Sequence, residues 1–166
     1  MSIHISNAGL VLLHPFLPGL FQELYITIEN KWVSDAEQYK AVLILEFLAS
    51  GNEGFEEFNL MLNKLLCGIS MNEIVDANTK LDDEIKLECE DLLNNVITHW
   101  SVLRNISVAG LREAFLQRSG ELLKIETGWF LKVEKSGADV LLNQLPWNIS
   151  IIKLPWMNES LTVEWL

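Results

Sequence analysis

Along the first two-thirds of the chain, apolar residues return at steps of three and four, the repeat of helices with one buried face. Leu10 to Leu13 reads as a buried apolar turn or short helix that Pro15 stops. Leu17, Leu20, Phe21 and Leu24 follow at helical spacing, with Pro18 suited to a first turn. Ser34-Asp35-Ala36-Glu37 has the pattern of a capping box, in which the Ser oxygen and the Glu carboxylate each satisfy a backbone N–H. The helix it opens is apolar on most sides (Tyr39, Val42, Leu43, Phe47, Leu48), as a central helix would be, and is expected to stop near Gly51. Phe55, Phe58, Met61, Leu62 and Leu65 make the next stripe, ended by Gly68. Residues 69–81 show no strong period and read as a loop. The clearest amphipathic helix comes next. Ile85, Cys89, Leu92, Leu93, Val96 and Trp100 share one face, and Glu84, Glu88 and Asp91 lie on the other. Ser107 can cap a further helix through Leu111 and Phe115, with Gly120 beyond its end.

The period then drops to two. Trp129, Leu131 and Val133 alternate with Phe130, Lys132 and Glu134, while Leu123 and Ile125 alternate with Lys124 and Glu126. With Thr127-Gly128 between the runs, a β-hairpin is predicted. Ser136 can cap a short helix through Val140, Leu141 and Leu142 to Leu145. Residues 149–154 and 161–165 read as two last strands. This order predicts one α+β domain over residues 1–166, its helical N-terminal two-thirds packed on a small, mostly antiparallel C-terminal sheet of order ββαββ.

Composition narrows the functional classes. Hydrophobic residues make up 49% and charged residues 21% of 166, with six Trp and seven Phe, which excludes intrinsic disorder. Twelve basic against 23 acidic residues give a formal charge of −11, the wrong sign for binding nucleic acid or an anionic membrane surface. The N-terminus has no basic region or small-residue cleavage site, and the apolar run from Gly9 to Phe21 is too short to cross a bilayer. A cytoplasmic chain is therefore expected, with two reduced cysteines, Cys67 and Cys89.

No catalytic pattern emerges. Cys67 sits within Leu65-Leu66-Cys67-Gly68 and Cys89 on an apolar helix face, where a thiol packs as a small hydrophobe. A cysteine nucleophile would need His14 or His99 beside Cys67 in an open cleft. Metal binding needs three or four ligands, and no spacing around His99 supplies them. Adjacent carboxylates at Glu56-Glu57 and Asp82-Asp83 point about 100° apart on a helix, so neither pair converges on a substrate. Phosphate-loop, dinucleotide, nucleophile-elbow and zinc-protease motifs are absent from the sequence. No enzyme, cofactor or metal is expected.

The unusual feature is a tripeptide, Leu145-Pro146-Trp147 and Leu154-Pro155-Trp156, repeated nine residues apart. Each Pro forces the preceding Leu to be extended and removes a ladder donor. Pro146, Trp147, Pro155 and Trp156 can form two corners that lock the sheet onto the helices. Alternatively they form an edge with aromatic anchors that docks a partner.

Several blocks resemble a known family. They are the runs 7–17 and 62–68, His99-Trp100, Gly110-Leu111-Arg112-Glu113, Phe115-Leu116-Gln117-Arg118 before Gly120, and the closing stretch from Leu145-Pro146-Trp147 to Met157. Together they resemble the conserved terminal domain of tape measure proteins of contractile injection systems, the phage-tail-like particles of bacteria. The resemblance covers nearly the whole chain in order. It implies a non-catalytic assembly role, since a tape measure occupies the growing inner tube and sets its length. The implied partners are inner-tube, baseplate or spike subunits, with self-association as a further expectation. Family members are usually longer, and this sequence departs there, with nothing ahead of the Asn7 block. Even fully helical, 166 residues span only about 250 Å at about 1.5 Å per residue. The chain is thus expected to be an anchoring domain, a separately encoded copy or a fragment of a ruler. A cytoplasmic adaptor or chaperone that holds a particle component during assembly is the alternative.

Arg112 and Arg118 complete the candidate interface. Six positions apart, they cannot share one narrow helical stripe. Among only three Arg in an acidic chain, each is expected to pair with a carboxylate through its planar fork. One pins its helix to the sheet or to an acidic helix. The functional alternative has Arg118 facing an acidic patch on a tube or baseplate subunit.

Overall fold

Capping chemistry sets the main helix boundaries in the computed structural model, which describes residues 2–76 and 78–165. The central helix α2 (Asp35–Ser50) begins at Ser34, whose Oγ accepts from the Glu37 N–H, and ends at Gly51 in the left-handed conformation. Helix α4 (Asp83–His99) begins at Asp82, whose carboxylate accepts from the Ile85 N–H. Its predicted stripe is buried, with Cys89, Leu93, Val96 and Trp100 fully so. Shorter pieces fill the space between: α1 (Leu17–Glu23), α3 (Met61–Leu66) and α5 (Val108–Leu111), the last running into a π-turn at Arg112–Leu116.

The expectation of a helical first two-thirds is corrected at four places. Ser2–Ile5 is a strand, β1, too short for its alternation to stand out in the sequence. Thr27–Ile28 (β2) and Lys31–Trp32 (β3) form a small hairpin, turned by Glu29 and Asn30 at positive φ. Residues Ala8–Phe16 form a 3₁₀ helix that Pro15 does not stop, because the segment passes directly into α1. Leu10 to Leu13 are all fully buried on it. Phe58, read as part of a buried stripe, is 63% exposed on a 3₁₀ turn at Glu57–Leu60.

The ββαββ order is corrected as well. Gly120–Ile125 (β4) and Gly128–Val133 (β5) form the hairpin, followed by a 3₁₀ helix at Gly137–Gln144, then Ile151–Ile152 (β6) and Ser160–Glu164 (β7). With β1 added, the sheet is five-stranded and mixed, in the order β1-β4-β5-β7-β6. Only β5 and β7 are parallel, joined by the long crossover that carries both Leu-Pro-Trp tripeptides. Leu122, Leu131 and Val163 stand in cross-strand register and are buried. Leu122, not Leu123, therefore points into the core, reversing the facing that the Leu123/Ile125 alternation suggested. One contiguous cluster of buried side chains joins the helices to this face of the sheet.

Two glycines permit the closest approaches. A Cβ on Gly9 would lie 1.8 Å from the Phe115 carbonyl oxygen, so the 3₁₀ helix can touch the π-turn only without a side chain there. Gly68 ends α3 at φ +73°, and a Cβ on it would meet the Trp156 carbonyl oxygen at 2.5 Å.

Candidate functional site

Each Leu-Pro-Trp unit leaves its proline exposed and its tryptophan half-buried. Leu145, before Pro146, is extended, as the proline ring requires. The Trp147 indole N–H donates to the Leu12 carbonyl at 2.9 Å, and its ring meets Phe16 edge-on at 5.1 Å. Phe16 in turn meets the His99 ring at 5.8 Å. Trp156 repeats the arrangement on other elements. Its N–H donates to the Leu66 carbonyl at 2.7 Å, and its ring lies 4.8 Å from Trp32 and 5.6 Å from Phe21. The two tryptophans fasten the crossover to two different parts of the helical layer and do not form one patch.

The arginines also go to separate places. Arg112 donates to the Leu48 and Phe47 carbonyls at the end of α2 and to Glu90 on α4 at 3.0 Å, tying three segments together. Arg118 is buried. It donates to both carboxylate oxygens of Asp139 (2.7 and 3.0 Å), to the Glu134 carbonyl and to the Ala114 carbonyl. Asp139 completes a reciprocal capping box with Ser136 and accepts from the Trp165 indole. This pair pins the end of the π-turn to the 3₁₀ helix and the C-terminal strand.

Nucleophile geometry is not assembled around the cysteines. Cys67 is fully buried, and burial pushes its thiol well above the ordinary range. Burial also pushes Cys89 up to about 12, against the opposing pull of Arg112. His14 donates from Nε2 to the Asn148 carbonyl, and burial lowers its pKa. Among the described residues no group of three or more His, Cys, Asp or Glu could hold a metal ion. No helix of the described residues is long and apolar enough to cross a membrane.

The surface feature that sequence reasoning passed over is a groove of about 450 Å³ between α1 and α4. Buried Leu20 and Leu92 and half-buried Phe16 form its apolar side, with half-buried Glu88 and exposed Glu23 and Asp91 at its edges. Its only sequence signal was the acidic face of α4, which reads equally well as an ordinary solvated surface. Phe16, which lines the groove, also packs against Trp147.

No curated protein and no solved structure matches the chain. A family model described as contractile injection system tape measure protein matches residues 1–165, essentially the whole length, with the Asn7–Leu17 run, buried from Asn7 to Leu13, and both Leu-Pro-Trp units inside the match. The chain belongs to the contractile injection system tape measure protein family.

Proposed function

We propose that this chain is the anchoring or terminal domain of a tape measure, a non-catalytic part of the machinery that controls inner-tube length. Family membership over residues 1–165 carries the reading. The folding of the chain supports it, because the longest helix, α4, has 17 residues and reaches only about 25 Å at about 1.5 Å per residue. A chain folded this way does not span a long tube by its own extension, which fits a part that holds an end. Residues 1–166 act in this reading as one folding unit, made in the cytoplasm, that meets inner-tube, baseplate or spike subunits during assembly. Trp147 and Trp156, half-exposed beside Pro146 and Pro155, offer apolar surface to those partners at two separate places, while Arg112 and Arg118 brace the helices and the 3₁₀ segment elsewhere in the domain.

Deleting the gene from a particle-producing host tests the proposal. Tubes of irregular length, or no tubes, are expected, and a tagged copy should restore length and co-purify with tube or baseplate subunits. Tubes of normal length in the deletion strain would overturn it.

A further inference from the structure

We propose that the trough along α4 is a docking site for a cationic amphipathic helix of a partner protein. The inference deepens the assembly reading, on which it rests for the partner's place in a particle, and its chemistry stands on the trough itself. The groove at Glu88–Asn95 has an apolar floor and acidic rim. A second groove of about 320 Å³ lies at the N-terminal end of the same helix, between Asp82–Ile85 and the segment Leu24–Val33. Tyr25 and Val33 line that second groove, 78% and 50% exposed, an unusual amount of apolar surface to leave to water. The two grooves share no lining residue, but Glu84, Glu88, Asp91 and Asn95 follow one another at helical spacing along one side of α4. A helix laid along that side would meet both over about 17 Å, about three turns at about 1.5 Å per residue. Gly19 keeps the wall low, because a Cβ there would have no neighbour within 4 Å.

Charge decides the occupant. Glu23, Glu84, Glu88 and Asp91 edge the trough, and none of them forms an ion pair among the described residues. The cation that lines it, Lys40, is paired with Glu37. An apolar floor between carboxylates selects a helix whose apolar stripe is bordered by Lys or Arg. A second copy would bring the same acidic rim and a charge of −11, and an anionic bilayer or nucleic acid would be repelled in the same way.

The test uses the full 166-residue chain and a labelled 15-residue peptide of Leu and Lys, with Leu on one helical stripe. Controls are its scrambled isomer and a version with Glu in place of Lys. In fluorescence anisotropy at physiological salt, the striped Lys peptide should bind about tenfold or more tighter than the scrambled one. Amide resonances of Gly19, Leu20, Asp91 and Leu92 should move. Glu88→Lys with Asp91→Lys should weaken binding by about tenfold and transfer preference to the Glu peptide. Gly19→Trp, which projects into open space, should also block binding while the unfolding midpoint stays unchanged. Equal binding of the scrambled isomer, resonance changes confined to other surfaces, or full binding by Gly19→Trp would each overturn the proposal. Those results leave the tube-length experiment untouched, so the two readings fail separately.

Discussion

Asp139 joins three parts of the chain through one carboxylate. Its carboxylate holds the buried Arg118, accepts from the Ser136 N–H at 3.0 Å and accepts from the Trp165 indole at 3.1 Å. Removing it strands a guanidinium that is 7% exposed. Asp139→Ala should therefore cost about 3–5 kcal/mol, read as a lowered urea midpoint, because an uncompensated buried charge is left behind. Replacing both partners, Arg118→Met with Asp139→Leu, should cost less than Asp139→Ala alone. An unchanged midpoint for Asp139→Ala would show that the pair adds nothing to stability. The sequence signalled that Arg118 would find a carboxylate, because cations are scarce and the net charge is −11. Which carboxylate was not legible, since Asp139 is 21 positions away and becomes a neighbour only when the hairpin turns the chain back.

At the scale of elements, α4 was the most readable. Its 3.6-residue stripe is long enough to average out single ambiguous residues, and its buried face came out as the pattern predicts. Leu93 at its centre has no exposure, so Leu93→Ala should cost about 2–5 kcal/mol through lost transfer energy and a cavity. Leu87, 61% exposed on the same helix, should tolerate alanine within about 0.5 kcal/mol. Denaturation midpoints of the two variants check both values, and equal losses would contradict the burial pattern. Strand β4 was harder to read. Leu122 and Leu123 are adjacent apolar residues, so alternation fits either facing. Pairing with β1, where Ile3 opposes Leu122, and contact of Gly120 with Ala8 select the facing that buries Leu122. Short strands such as β1 and β6 carry too few residues to show a period at all.

Across the whole molecule, residues 145–165 act as a strap. They cross from the hairpin to the helical layer, fasten there through Trp147 and Trp156, and return to place β7 beside β5. Their buried side chains include Leu154, Met157, Leu161, Val163 and Trp165. A chain ending at Gln144 should lose cooperative unfolding and bind a hydrophobic dye, because β5 becomes an open edge and the core loses one wall. A sharp thermal transition in that truncation would refute the strap. The local patterns were enough for helix periodicity, caps at Ser34, Ser107 and Ser136, and the hairpin, because each depends on residues within about a turn of one another. Long-range pairing required the folded chain. Recruitment of β1 to β4 across more than a hundred residues, the parallel β5–β7 contact and the acidic trough beside α4 each join segments whose mutual approach leaves no local trace, since packing and register set them through space.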